Sequence, residues 1–105
     1  DSQDVKVKEL VVESKKGMSF QRHKERNEIW LVSKGACEVL YSKDKPDNKI
    51  KKTLKKFDKF IVSKGDWHQI INPFNEDCHI IEIQYGDSVI EDDIERLNFY
   101  GEKNA

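Results

Sequence analysis

Gln21, His23, Glu25 and Glu28 fall within eight residues of one another, in the stretch GMSFQRHKERNEIWLVSKG from Gly17 to Gly35. Each of these side chains can bind a metal ion or handle a proton. His68, in GDWHQIIN, adds a further imidazole about forty residues later. A mixed nitrogen and oxygen set suits a divalent metal, Zn²⁺ first, with Mn, Fe or Ni as alternatives. Without thiolates, such a site is catalytic or tunable rather than a structural cysteine-type zinc site. Cys37 and Cys78 do not join it: neither lies in a CxxC pair, and both read as reduced, buried thiols.

The elements that must position these residues are strands. Met18–Glu25 alternates, so Gln21, His23 and Glu25 share one face, with neighbouring Cα atoms roughly 6.6 Å apart. Arg26-Asn27 breaks the alternation, and a bulge or bend there would return Glu28 to the His23 face. Trp67–Asn72 puts His68, Ile70 and Asn72 on one face. In Cys78–Tyr85, Glu82 and Gln84 share a face with Cys78 and Ile80. VKVKELVV near the start, Ile29–Val32, Cys37–Tyr41, Ile50–Leu54 and Phe60–Val62 complete seven to nine short strands with turns between them. Glu91–Leu97, with acids at its start, reads as one or two helical turns. The pattern is all-β, a sandwich or barrel, and residues 1–105 make one domain. From spacing alone, an exposed hydrophilic strand accounts for QRHKERNE slightly better than a metal site does. Trp30 and Trp67, flanked by apolar neighbours, read as core or interface residues rather than sugar-stacking ones.

Composition narrows the partners. The formal net charge is −1, which gives no general attraction to nucleic acid or to an anionic membrane. The lysines between Lys43 and Lys59 lack interleaved aromatics and read as edge protection on a hairpin. No apolar run approaches the ~20 residues that span a bilayer. DSQDVKVKEL carries no signal-peptide pattern, and this end says little about targeting. The expected location is the cytoplasm.

The residues then resemble a family. Gly17, His23-x-Glu25, Glu28 and Gly35 are similar to the first cupin motif, and Gly65, His68 and Asn72 to the second, with Ser63 where proline is usual. The closer resemblance is to the cupin domain of type II mannose-6-phosphate isomerases, often fused to mannose-1-phosphate guanylyltransferase. It rests on SFQRHKERNEIW (Ser19–Trp30), GDWH (Gly65–His68), IEIQYG (Ile81–Gly86), EDDIER (Glu91–Arg96) and Tyr100-Gly101. It implies a cupin-type double-stranded β-helix, or jelly-roll barrel, with a short C-terminal helical segment.

The resemblance also implies a sugar phosphate or nucleotide sugar as ligand, a divalent metal, and a homodimer, for which VKVKELVV is the candidate contact. The implied activity is metal-dependent aldose–ketose interconversion. A non-catalytic sugar-binding cupin, or a metal-cupin epimerase or oxygenase, is the alternative. There are departures. Glu25 replaces the second His of His-x-His, Glu102 replaces an arginine, and Arg96 stands one residue closer to Tyr100. No nucleotidyltransferase domain lies within the 105 residues. Type I phosphomannose isomerases resemble the set Gln21, His23, Glu28 and His68 as ligands. That leaves Glu25 as the acid or base; Arg22, Arg26 or Arg96 could hold the phosphate, with Arg26, the family-matched arginine beside the site, favoured. Arg96 is expected to clasp Glu91, Asp92 or Asp93.

Overall fold

The structure is a computed structural model that describes residues 4–43, 49–86, 89 and 94–98. Among the described residues nine strands follow in order: β1 (Asp4–Val12), β2 (Phe20–Arg22), β3 (Arg26–Lys34), β4 (Cys37–Ser42), β5 (Ile50–Leu54), β6 (Lys59–Val62), β7 (Trp67–Ile71), β8 (Cys78–Gly86) and β9 (Glu95–Asn98). They form two antiparallel sheets, ordered β1-β8-β3-β6 and β5-β4-β7-β2-β9. No helix occurs among the described residues, and none is long and apolar enough to cross a membrane.

The two-residue alternation produces this arrangement directly. β3 and β8 each bury every second residue, and their registers place Val32 beside Ile80, Trp30 beside Glu82 and Glu28 beside Gln84. The inner face is therefore split along its length. At one end Val12, Val32, Cys37, Val39, Leu54, Ile70, Cys78 and Ile80 form a dry core. At the other end the same strands carry Arg26, Glu28, Glu82 and Gln84, all buried. Trp30 sits at the boundary, 1% exposed. Trp67 is also buried, stacked on Phe20 with ring centroids 5.5 Å apart. β1 lies at the edge of its sheet, and its outward Val5, Val7 and Val11 are exposed.

Two local expectations change. The alternation from Met18 does not run to Glu25. β2 ends at Arg22, and Lys24-Glu25 bend the chain out of one sheet and into the other, where β3 begins at Arg26. The break thus comes two residues before Arg26-Asn27, at a crossing between sheets that local periodicity does not register. Gly86 gives this crossing its seat. It pairs with Arg26 at a φ of 145°, and a Cβ there would meet the Glu25 carbonyl oxygen at 2.6 Å.

The second change concerns the expected helical turns over Glu91–Leu97. Glu95–Asn98 form β9, which pairs with β2, while residues 91–93 lie outside the described residues. A helix of so few residues is marginal in water. Pairing with β2, together with the Arg22–Glu95 ion pair at 2.9 Å, supplies the alternative.

Candidate metal centre

The polar end of the inner face gathers residues from both sheets. His23 follows β2 and His68 lies in β7, whereas Glu28 comes from β3 in the facing sheet. All three are buried, and one ligand atom from each lies within 4.8 Å of the others. His23 Nε2 is 3.3 Å from Glu28 Oε2, and His68 Nε2 is 3.9 Å from Glu28 Oε1. These residues line a cavity of about 120 Å³, shared with Lys8, Gln21, Arg26, Glu82 and Arg96.

The contact with the Asp66 carbonyl sets the His68 tautomer. His68 Nδ1 lies 3.1 Å from the Asp66 carbonyl oxygen, which only accepts, so Nδ1 carries the proton. The lone pair of the neutral ring is then on Nε2, and this buried atom has no hydrogen-bond partner among the described residues. Burial lowers the His68 pKa from 6.5 to about 4, opposed by the Asp66 carbonyl and helped by the neighbouring His23, so the ring stays neutral. His23 Nε2 lies 2.9 Å from Arg26 Nη2, a donor, and 3.3 Å from Glu28 Oε2, an acceptor; a lone pair on Nε2 meets the shorter of the two contacts.

Two imidazole lone pairs and a carboxylate, converging with a backbone carbonyl behind one ring, are a donor set that fits a divalent cation. His23, Glu28 and His68 would hold it. Gln21 lines the same cavity opposite His68 in the β2–β7 register, with its Oε1 accepting from Ser19 at 2.9 Å.

Arg26 lines the cavity as well, but its guanidinium is turned onto the site. Nε and Nη2 donate to Glu28 Oε2 at 3.0 and 2.9 Å, and Nη1 has no partner among the described residues. Glu25, expected as the acid or base, is exposed on the bend and is not among the residues lining the cavity. Arg96 lines the cavity from β9, on the exposed side. The acids expected to clasp it, Glu91, Asp92 and Asp93, lie outside the described residues.

A second carboxylate went unassigned from sequence. Glu82 accepts from Trp30 Nε1 at 3.2 Å and from Gln84 Nε2 at 2.6 Å. Trp30 Nε1 also donates to Glu28 Oε1 at 3.0 Å, so one indole N–H bridges the two acids. Burial raises the Glu82 pKa from 4.5 to about 7, with the charge and hydrogen bond of Glu28 adding to it and Gln84 and Lys8 opposing. The signal was available: Glu82 falls on the inward face of an apolar strand, where a carboxylate needs a reason.

A pH dependence follows for the metal-free protein. The folded state holds the Glu82 proton up to about 7, whereas the unfolded chain releases it near 4.5. The folded state thus binds more protons between these values. Its contribution to stability is fully present below pH 4.5 and is lost as pH rises through 7. Glu82→Gln removes that loss. In EDTA, the variant is expected to gain on the wild type by roughly 1–3 kcal/mol between pH 4.5 and 7. Urea unfolding at several pH values reads this out, and parallel profiles for the two proteins would refute it.

Comparison with known proteins places the chain in a family. Residues 1–99 match the family described as Mannose-6-phosphate isomerase C-terminal. The alginate biosynthesis protein AlgA of Pseudomonas syringae is 32% identical over 100 residues, covering 94% of this chain and 20% of that protein. Mannose-1-phosphate guanylyltransferase 2 of Escherichia coli O157:H7 is 31% identical over 91 residues, covering 87% of this chain and 18% of that protein. The chain therefore spans about a fifth of the length of these relatives.

Among solved structures, a Cupin 2 conserved barrel domain protein from Salinispora arenicola superposes with a TM-score of 0.65 at 20% identity, covering 76% of this chain and 61% of that one. The capsular polysaccharide assembling protein CapF from Staphylococcus aureus gives a TM-score of 0.75 at 19% identity, covering 88% of this chain and 28% of that one. At these identities the likeness shows the fold, a cupin double-stranded β-helix.

Proposed function

We propose, since the chain belongs to the mannose-6-phosphate isomerase C-terminal family, that it is a metal-dependent cupin acting on a sugar phosphate by aldose–ketose interconversion. The observation that carries the reading is the convergence of His23, Glu28 and His68, with His68 Nε2 3.9 Å from Glu28 Oε1 and without a hydrogen-bond partner among the described residues. A bound divalent ion would polarise a sugar carbonyl and stabilise charge on its oxygen.

The chain's own residues account for the rest. Interconversion moves a proton between C1 and C2, which needs a group that accepts and returns it near neutral pH. Glu82, on the cavity wall with its pKa raised to about 7, suits that task better than the exposed Glu25. Lys8 and Arg96 line the same cavity and suit a phosphate, the guanidinium by paired hydrogen bonds. Trp30 and Gln84 hold the Glu82 carboxyl in place.

Purified protein is expected to bind one zinc ion per chain and to convert mannose 6-phosphate to fructose 6-phosphate in a coupled assay. His68→Ala is expected to lose both. A protein that turns over equally well in chelator, or a His68→Ala variant with full activity, removes the metal-isomerase reading. One observation favours a second reading, a sugar-phosphate-binding cupin without metal: the Arg26 guanidinium already neutralises Glu28. Binding of mannose 6-phosphate without turnover, unchanged by zinc, would select it.

A further inference from the structure

The three ligand atoms of the centre are all hydrogen-bond acceptors, and two of them are already occupied by one side chain. Arg26 donates Nε–H and Nη2–H to Glu28 Oε2, and Nη2–H also to His23 Nε2. The guanidinium therefore stands where a cation shared by His23 and Glu28 would stand. We propose that Arg26 is the resident cation of the metal-free centre and competes with the divalent ion for His23 and Glu28, so that metal enters only as the guanidinium leaves. The proposal rests on the metal-centre reading above and deepens it.

Three features support the exchange. The guanidinium charge and a divalent ion cannot share ligands within about 3 Å of one another, because their repulsion in a buried site is strong. Occupancy is therefore exclusive. Arg26 is also the first residue of β3 and pairs with Gly86, so no cross-strand side chain pins it. Finally, Arg26 lines the polar cavity, which offers space for the displaced group, and its buried Nη1 has no partner among the described residues to hold it where it stands. His68 Nε2 is the one ligand atom of the three that Arg26 does not engage, and it provides a point of first attachment for the ion. The apparent affinity for metal is then the intrinsic affinity reduced by the fraction of molecules in which Arg26 has turned away.

The test uses Zn²⁺ alone, titrated by calorimetry into wild type, Arg26→Met and His68→Ala. Arg26→Met is expected to bind zinc about tenfold or more tightly than wild type. Equal or weaker binding by Arg26→Met, with wild type binding zinc, overturns the competition and leaves the metal centre standing. Absence of zinc binding in both wild type and Arg26→Met overturns the metal centre itself, and the competition with it.

Should Arg26→Met not fold, wild type decides alone. Nitrogen-15 NMR of the arginine Nε–H groups is expected to show the Arg26 proton protected from exchange without zinc. That protection should be lost on zinc saturation. Protection that persists with zinc bound overturns the proposal.

Discussion

Glu28→Ala is expected to lower the thermal midpoint of the metal-free protein by roughly 12–20 °C. The carboxylate is the counterion of Arg26, and both side chains are nearly inaccessible, at 2% and 4%. Truncating one partner leaves a buried charge uncompensated, at a cost of about 3–5 kcal/mol. Each kcal/mol shifts the midpoint of a domain this size by about 4 °C. The large effect is a cost of breaking the pair and does not measure what the pair contributes. The double variant Glu28→Ala/Arg26→Met should accordingly recover much of the loss. Calorimetry in EDTA checks both statements. A shift of under about 3 °C for Glu28→Ala would mean that the guanidinium finds other partners. A double variant no better than the single would mean that the buried charge is not the cause.

The second large effect is at Trp30. Trp30→Ala removes the largest fully buried side chain, at the boundary between dry core and polar cavity. It packs on Phe60 and presents its edge to His68, both with ring centroids at 5.5 Å. Loss of its volume costs about 3–5 kcal/mol. Trp30→Phe keeps most of the volume and deletes only the N–H that bridges Glu28 and Glu82. Its expected cost is about 1–3 kcal/mol, the range for leaving buried acceptors short of a donor. Urea unfolding of the two variants separates packing from hydrogen bonding. Equal losses would refute the division.

Much of this was legible before any coordinates. The alternation in CHIIEIQY put Glu82 and Gln84 inward, and β8 buries them. The spacing of GDWHQIIN puts His68 and Ile70 on one face, and both line the cavity, although β7 buries Trp67 and Gln69 as well. Periodicity reports which side of a strand a residue takes, and it is reliable where one side is dry. It does not report which sheet a strand joins. For that reason the bend at Lys24-Glu25 was misplaced, and Glu25 ended on the surface while His23 stayed inside. β9 was hidden for a related reason. Its pairing with β2 joins residues more than seventy positions apart, and the charges of EDDIERL suit a helix equally well. The turning of Arg26 onto His23 had no signal in spacing at all, because it depends on four side-chain torsions and on which acceptors lie within reach.

Gly86 acquires a wider meaning in this light. Its missing side chain does more than permit a tight approach to Glu25. The chain at Glu25-Arg26 rests on it like a latch on a flat plate, with the last residue of β8 as the plate. A methyl group there would act as a wedge under that latch. It would lift the imidazole and the guanidinium together, while Glu28, two residues further into β3, stayed clamped between β6 and β8. The spacing between ligands contributed by opposite sheets is thus set from outside the centre, by a residue that binds nothing.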